Sequence, residues 1–143
     1  MTKKILLFGM NGQIGWALQR TLAYPGRVLA FDRISCDVGS EAQLRGKIQE
    51  VQPDVIVNAA AYTAVEQAET HEEECALINA FAPQIMAEEA CKIGAVFVHY
   101  STDYVFNGEK GSAYHEYDEA NPINAYGRTK LNGDKAIIAT NGQ

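Results

Sequence analysis

The chain has 143 residues, of which 47% are hydrophobic and 21% are charged, which is typical of one soluble globular domain. Its formal net charge of −6 at pH 7 argues against a general nucleic-acid or membrane-surface role. No apolar stretch is long enough for a transmembrane helix, and the apolar run at residues 5–8 is too short for the core of a signal peptide.

Short apolar runs alternate along the chain with stretches in which apolar residues recur at helical spacing. The runs are apolar at every position, which predicts strands that are buried on both faces. In chain order, the predicted elements are strand 5–8, helix 13–22, strand 27–31, helix 40–51, strand 55–57, a long helix at about 71–93, strand 95–100, a loop at 107–124 and a last helix at about 124–140. This order predicts one α/β domain over residues 1–143, with a doubly wound parallel sheet in a three-layer αβα arrangement. We expect at least one strand beyond these four.

The helical periodicity also predicts which side chains face the core. The second helix has Ser40 as its expected N-cap and Gly94 ends the long helix. The side chains expected inward are Ile14, Ala17, Leu18, Thr21, Leu22, Leu44, Ile48, Leu77, Ile78, Phe81, Ile85, Met86, Leu131, Ile137 and Ile138.

A glycine-rich turn joins the first predicted strand to the first helix. Gly9, Gly12 and Gly15 fit the pattern G-x-x-G-x-x-G in the strand–turn–helix context of a dinucleotide-binding loop. Gly9 permits the tight turn, Gly12 lets the backbone approach a diphosphate, and Gly15 lets the helix and the strand pack closely. The unpaired N–H groups of the helix start would complete an anion site. A glycine-rich turn without a ligand is the alternative.

Acidic residues follow the second predicted strand. Asp32 ends that strand, where a carboxylate of a dinucleotide-binding fold meets the hydroxyls of the adenosine ribose. Arg33 follows at once and could accept a 2′-phosphate, so NAD and NADP both stay open. Asp37 and Val38 could flank the adenine, Asp37 by a hydrogen bond and Val38 by packing. A solvated strand end is the alternative for Asp32.

Tyr126 and Lys130 lie four residues apart on the last predicted helix and therefore share one of its faces. The pKa of a free tyrosine is about 10, and a neighbouring ammonium lowers it by favouring the phenolate. The pair therefore suits acid–base chemistry near neutral pH, and Lys130 can also reach ribose hydroxyls. Thr102, at the carboxyl end of the fourth strand, is placed to hold a substrate oxygen. Taken alone, the pair is also typical of a half-buried tyrosine beside a solvated lysine. Because the pair follows a glycine turn earlier in the same chain, the catalytic interpretation is favoured.

Four stretches make the chain similar to the extended short-chain dehydrogenase/reductase family: LLFGMNGQIGWALQ at 6–19, PDVIVNAAAYTAVEQAE at 53–69, HYSTDYVFNG at 99–108 and PINAYGRTKLNGDKA at 122–136. The resemblance covers essentially the whole chain. It implies an NAD(P)-binding Rossmann-like domain that uses NADH or NADPH to reduce the C4 ketone of dTDP-4-dehydro-rhamnose, a nucleotide-linked sugar. Family members are about twice as long, so the resemblance also implies an N-terminal portion without the C-terminal substrate-binding part.

The resemblance assigns roles to individual residues. Tyr126 would be the proton donor, Lys130 its partner and a ribose ligand, and Thr102 and Asp103 would contact the sugar. The residues implied to bind the cofactor are Gly9, Gly12, Gln13, Ile14, Gly15, Asp32, Asp37, Val38, Ala61, Tyr62, Thr63, Tyr100, Tyr126 and Lys130.

Other functions within the same fold stay open. An epimerase or dehydratase of nucleotide sugars would also use the Tyr–Lys pair, although a dehydratase needs a glutamate after Asp103 where this chain has Tyr104. A non-catalytic NADP-binding regulatory subunit would keep the fold without turnover. Asn79, in the long helix, either bonds a loop near the cofactor or is an ordinary satisfied buried amide.

The expected partner is a nucleotide-sugar substrate, with no nucleic acid and no membrane, and the resemblance is compatible with a homodimer. The histidines show no metal-binding spacing, so no metal site is predicted; family members can bind Mg²⁺, but no ligand for it can be assigned here. The three cysteines are expected to be reduced thiols, which suits the cytoplasm.

Overall fold

Residues 2–141, which the computed structural model describes, contain one sheet of four parallel strands. The predicted domain extends to residues 1, 142 and 143, which lie outside the described residues. The strands are β1 (Lys3–Phe8), β2 (Gly26–Phe31), β3 (Val55–Asn58) and β4 (Val96–His99), in the order β2-β1-β3-β4. The predicted doubly wound parallel sheet is confirmed, and the described part of the chain holds no fifth strand.

Six α-helices accompany the sheet in the described residues: α1 (Gln13–Thr21), α2 (Glu41–Val51), α3 (Val65–Ala68), α4 (Glu72–Ala76), α5 (Ala82–Ile93) and α6 (Ala125–Asn141). A π-helical turn (Leu77–Phe81) joins α4 to α5, so these three form the predicted long helix. A 3₁₀ turn (Asp103–Val105) follows β4, and the predicted loop at 107–124 has neither helix nor strand. None of the helices in residues 2–141 is long and apolar enough to cross a bilayer.

Helices cover both faces of the sheet, which confirms the three layers. Leu44 and Ile48 of α2 and Met86 of α5 pack on one face, against Leu6 and Ile56 among others. On the other face, the partly buried Leu18 and Leu22 pack near Ile5, Leu7 and Val57. The α1 side of the edge strand β4 stays open, because Val96 and Val98 are exposed.

The π-helical turn explains why two inward predictions in the long helix were wrong. Leu77 and Phe81 are exposed, whereas Asn79 is buried. A π turn inserts one residue into the helical repeat, so the face that meets the core shifts within it. Beyond the turn, Ile85 and Met86 are buried as predicted.

The predicted inward faces of α1 and α6 also need correction. In α1, Ile14, Ala17 and Thr21 are exposed, whereas Gly15 is buried and the partly buried Leu18 packs towards the sheet. In α6, Ile138 is exposed, and the buried positions are small or polar: Ala125, Gly127, Thr129, Lys130 and Gly133.

Two glycines let α6 approach other backbones closely. A Cβ at Gly127 would lie 2.2 Å from the carbonyl oxygen of Tyr104, and a Cβ at Gly133 would lie 2.2 Å from that of Asn79. These glycines bring α6 against the backbones of the 3₁₀ turn and the π-helical turn.

A buried ion network holds α2 to α5. Glu89 is 1% exposed, and its carboxylate lies 2.7 Å from both Arg45 Nη1 and Lys92 Nζ. Burial raises the pKa of Glu89, but hydrogen bonds from Lys92, Arg45 and Gln49 lower it more, so that the pKa lies below its usual value. The carboxylate is therefore charged and paired at neutral pH, as a buried charge must be.

Candidate functional site

A groove runs along the carboxyl ends of the strands. β2 lies on one side of β1 and β3 on the other, so the order in which strands are added to the sheet changes direction between β1 and β3. Parallel α/β sheets bind ligands at such a switch point. The groove has a first chamber of about 570 Å³ and a second chamber of about 580 Å³. Both chambers share the wall residues Gly12, Ala59, Ala60, Ala61 and Thr63.

The turn of residues 9–15 is held by close backbone contacts. Gly9 has φ +84°, and a Cβ there would lie 2.5 Å from the backbone nitrogen of Ala60. A Cβ at Gly15 would lie 2.0 Å from the carbonyl oxygen of Gly9. At Gly12, by contrast, a Cβ would meet only the carbonyl oxygen of Gly9, at 3.5 Å, an ordinary contact. The protein itself therefore needs glycine at Gly9 and Gly15, whereas Gly12 leaves room for a ligand at the groove.

The start of α1 is built to receive an anion. Its N-cap position, Gly12, provides no capping side chain, and its first turn holds no acidic residue. The first N–H groups of a helix have no partner within the helix, and they carry its positive dipole end. Because Gln13 and Ile14 line the second chamber, these groups meet the groove. The geometry fits a diphosphate.

The first chamber is lined mainly by acidic and small apolar residues. Asp32 accepts hydrogen bonds from the Ser35 hydroxyl at 2.7 Å and the Ser35 N–H at 2.9 Å. Its other carboxylate oxygen accepts from Asn11 Nδ2 at 3.3 Å. The Ser35 hydroxyl, with these other donors, lowers the pKa of Asp32, so the carboxylate is charged at neutral pH. Arg33 lies in the same wall, with its Nη2 3.8 Å from Glu74.

The second chamber contains Tyr126 and Lys130 at the face of α6 that meets β4. The Tyr126 ring meets the ring of Tyr104 edge-on, with 5.5 Å between centroids. Lys130 is 3% exposed, and its ammonium donates a hydrogen bond to the Tyr100 carbonyl. Burial lowers the pKa of Lys130 below its usual value, and the charge of Asp134 opposes this shift only in part. The pair therefore faces the same groove as the glycine turn.

An amide and an imidazole connect the groove wall to Lys130. Asn58 ends β3, and its Oδ1 accepts a hydrogen bond from the Ala60 N–H at 3.1 Å. Its Nδ2 then donates to His99 Nδ1 at 3.1 Å, so a neutral His99 carries its hydrogen on Nε2. Burial and the charge of Lys130 lower the pKa of His99 to about 4, so the ring is neutral at pH 7.

Asn79 fixes the backbone of Tyr62, in the wall of the first chamber. Its Oδ1 accepts from the Tyr62 N–H at 2.9 Å, and its Nδ2 donates to the Tyr62 carbonyl at 3.1 Å. The same amide lies 3.3 Å from the hydroxyl of Thr129 on α6. Of the two interpretations offered for Asn79, the structure shows the bond to a loop beside the groove.

The structure brings most of the proposed site residues into one groove. Those lining the first chamber are Gly9, Gly12, Asp32, Asp37, Val38, Ala61, Tyr62 and Thr63. Those that line the second chamber are Gly12, Gln13, Ile14, Ala61, Thr63, Tyr100, Tyr126 and Lys130.

Three proposed residues line neither chamber: Gly15, Thr102 and Asp103. Gly15 lies behind the turn, against Gly9. The Thr102 hydroxyl caps the 3₁₀ turn by accepting from the Tyr104 N–H at 3.2 Å, and it contacts Asp103 Oδ1 at 3.3 Å. Both side chains are therefore engaged locally, beyond the edge of the groove.

Several groups at the groove were not predicted from the sequence. Asn58 and Ser101 each follow a strand at its carboxyl end, a position that could have indicated them. Asp134 continues the four-residue spacing of Tyr126 and Lys130 and could have been found from that spacing. Gln67 and His71 line the first chamber without any sequence pattern that predicts it.

Comparisons with known proteins agree with this geometry. Residues 3–143 match the family model of the RmlD substrate binding domain. The chain is 46% identical over 139 residues to a dTDP-4-dehydrorhamnose reductase of Burkholderia thailandensis, covering 97% of this chain and 47% of that protein. It is 47% identical over 137 residues to the Escherichia coli K12 protein of the same name, covering 93% of this chain and 46% of that protein.

A solved structure shares the fold closely. The dTDP-4-dehydrorhamnose reductase of Bacillus anthracis, determined in complex with NADP, superposes with a TM-score of 0.94 at 34% identity. The match covers 98% of this chain and 50% of that one. The chain thus spans about half the length of the relatives that it matches.

Proposed function

The chain belongs to the family of the RmlD substrate binding domain, and on that basis we propose that it is the cofactor-binding and catalytic portion of a dTDP-4-dehydrorhamnose reductase of the extended short-chain dehydrogenase/reductase type. The proposed reaction reduces the C4 ketone of dTDP-4-dehydro-rhamnose to the alcohol of dTDP-rhamnose. The observation that carries the proposal is that one groove joins the glycine turn to Tyr126 and Lys130.

The groove residues suit a nicotinamide dinucleotide. The backbone N–H groups at the start of α1 would bind the diphosphate, and Gly12 leaves the space for it. Asp32 would accept hydrogen bonds from the adenosine ribose, with Asp37 and Val38 beside the adenine. The residues proposed along the path to the nicotinamide are Ala61, Tyr62, Thr63 and Tyr100.

In the proposed mechanism, the chain supplies a proton and electrostatic support. The reduced cofactor, when bound, supplies the hydride. Tyr126 gives its phenolic hydrogen to the substrate C4 oxygen as negative charge develops there. The Lys130 ammonium stabilises the resulting phenolate and binds the nicotinamide ribose. Thr102 and Asp103 are proposed sugar ligands, and their hydroxyl and carboxylate would have to leave the local bonds of the 3₁₀ turn.

The proposal is tested with the complete enzyme, meaning the protein of full family length that contains this segment. It should consume NADH when given dTDP-4-dehydro-rhamnose, with dTDP-rhamnose as the product identified by chromatography and mass spectrometry. Interconversion of sugars without net NADH consumption would instead indicate an epimerase. Tight binding of NADPH without consumption would indicate a regulatory subunit.

We expect little turnover by the 143-residue chain alone. We also propose that the protein is located in the cytoplasm.

The charges of the first chamber favour NADH over NADPH. Asp32, Asp37 and Glu74 bring three carboxylates to this wall, and the guanidinium of Arg33 already lies beside Glu74. A 2′-phosphate at the adenosine ribose would face the charged Asp32, whereas two ribose hydroxyls would donate hydrogen bonds to it.

Asp32→Ser is therefore expected to weaken NADH binding about tenfold, because a charge-assisted acceptor is lost. The same change should leave NADPH binding unchanged or tighter, because the repulsion is removed. Fluorescence titration of both nucleotides measures this, with Asp118→Asn, in the loop outside both chambers, as the matched control. Tighter binding of NADPH by the unmodified protein, with no response to Asp32→Ser, would exclude this role for Asp32.

A further inference from the structure

Three functional groups lie on one face of α6. Tyr126, Lys130 and Asp134 follow one another at intervals of four residues, a spacing that places side chains on consecutive turns of the same face. Tyr126 and Lys130 line the second chamber, and Asp134 lies one turn further along the helix. The proposed mechanism gives Asp134 no role.

The ammonium of Lys130 is removed from water. It is 3% exposed, and the charged form of a buried amine is disfavoured unless neighbouring groups balance it. The Tyr100 carbonyl accepts one of its hydrogen bonds. A carbonyl oxygen carries only a partial charge, whereas a full negative charge nearby favours the protonated amine more strongly.

Lys130 and Asp134 both approach the same ring nitrogen of His99. Lys130 Nζ lies 3.4 Å from His99 Nε2, and Asp134 Oδ1 lies 3.8 Å from the same atom. Because Asn58 donates to His99 Nδ1, the hydrogen of the neutral ring is on Nε2. An N–H at that position cannot accept a hydrogen bond from Lys130.

A second contact fixes Asp134 in this position. The Ser101 hydroxyl, at the carboxyl end of β4, donates a hydrogen bond to Asp134 Oδ2. The Asp134 side chain keeps 22% of its surface exposed, so it borders solvent as well as the buried amine. Burial raises the pKa of Asp134 above its usual value, and the Ser101 bond and the charge of Lys130 offset this rise only in part.

Other ionisable groups around this part of α6 have partners other than Lys130. From α3 and α4, Glu69 and Glu72 lie beside Arg128. From α4, Cys75 bonds the hydroxyl of Thr129, and it adds a charge near Lys130 only as a thiolate.

The remaining elements that pack on α6 add no free carboxylate at Lys130. The π-helical turn carries no ionisable side chain, and the 3₁₀ turn brings Tyr104 against Tyr126 and Asp103 against Thr102. On α5, Glu88 and Glu89 are bound to Arg45.

We infer that Asp134 is a positioning residue for the proposed reduction: its carboxylate, which approaches the same His99 nitrogen as Lys130, balances the buried ammonium and keeps that amine protonated while Tyr126 gives up its proton. The inference rests on the proposed role of Lys130. The carboxylate touches neither cofactor nor substrate and acts through Lys130 alone.

The first test measures the charge of Lys130 without any turnover. In the complete enzyme, lysine labelled with ¹³C at Cε is titrated by NMR, and the Lys130 resonance is identified by its loss in Lys130→Arg. Asp134→Asn keeps the shape and removes the charge, and it should lower the pKa of Lys130 by about one unit or more. Asp134→Glu should restore it, and Glu50→Gln, an exposed carboxylate on α2, should leave it unchanged.

The second test is the pH dependence of kcat with the keto sugar and saturating NADH. The active form has Lys130 protonated, so activity is lost as the pH rises through the pKa of Lys130. A lower pKa in Asp134→Asn therefore moves the alkaline limb to lower pH by the shift seen in the NMR titration. At pH values well below the pKa of Lys130, the kcat of Asp134→Asn should approach that of the unmodified enzyme. Its affinity for NADH should be unchanged.

A purely structural role would instead lower kcat by the same factor at every pH. An unchanged Lys130 pKa in Asp134→Asn, or an equal fall in Asp134→Glu, would overturn the inference. If the unmodified enzyme reduces no keto sugar, the proposed function fails, while the NMR titration still decides whether Asp134 sets the charge of Lys130.

Discussion

Tyr126→Phe in the complete enzyme is expected to lower kcat for reduction of the keto sugar by about 10²- to 10⁴-fold, the usual contribution of a general acid. The phenylalanine ring keeps the edge-on contact with Tyr104, so the fold should be retained. Only the hydroxyl is lost, and with it the proton for the developing alkoxide. Because the glycine turn and Asp32 are untouched, affinity for NADH should change by no more than about twofold.

Single-turnover kinetics with NADH pre-bound measure this effect at the chemical step. Tyr24→Phe is the matched control, because Tyr24 is 99% exposed in the turn between α1 and β2 and should leave kcat unchanged. An undiminished kcat in Tyr126→Phe would rule out Tyr126 as the acid and leave the groove as a binding site only.

Gly15→Ala is expected to destabilise the fold by about 3 kcal/mol or more, through overpacking at a site that cannot relax. The added Cβ would lie 2.0 Å from the carbonyl oxygen of Gly9 and 2.9 Å from the Cα of Met10. Both are backbone atoms of the turn, so the helix must move away from the strand. NADH binding should weaken together with stability, because the N–H groups at the start of α1 move with the helix.

Urea unfolding measures the free energy of unfolding of this variant and of Gly46→Ala, the matched control. The dependence of that free energy on urea concentration should be the same in both variants. Gly46 lies inside α2 with no atom within 4 Å of an added Cβ, so alanine there should stabilise the protein by up to about 1 kcal/mol. Equal stabilities for the two variants would contradict the close packing assigned to Gly15.

The central strands β1 and β3 could be predicted from the sequence because they are buried on both faces. Residues 5–8 and 55–57 are apolar at every position, Gly9 follows the first run, and Pro53 lies two residues before the second, so few other structures suit them. The order of strands and helices then leaves a parallel sheet as the favoured arrangement. The open side of β4 could not be predicted, because exposure of Val96 and Val98 depends on what packs there.

The packing of the helices was harder to predict because it depends on small residues and on one irregular turn. The periodicity of large apolar residues predicted that Ile138 faces inward, whereas α6 makes its close backbone contacts at Gly127 and Gly133. The π-helical turn likewise buries Asn79 in place of Leu77, and no local sequence pattern specifies such a turn.

Site residues could be predicted where their role depends on their spacing in the sequence or on their position at the end of a strand. The glycine turn, Asp32 and the pair of Tyr126 and Lys130 follow from the sequence and line one groove in the structure. The contacts of His99 and Asn58 depend on the pairing of β3 with β4, which brings residues distant in sequence together. A single sequence does not specify that register.

A crystal structure of the chain with NADH bound most directly tests whether the glycine turn and the Tyr126–Lys130 pair serve one nucleotide. We predict the diphosphate at the N–H groups of Gln13 and Ile14, with the nicotinamide ribose hydrogen-bonded to Lys130 and the nicotinamide ring beside Tyr126. A diphosphate bound away from the turn, or a nicotinamide directed away from Tyr126, would contradict it.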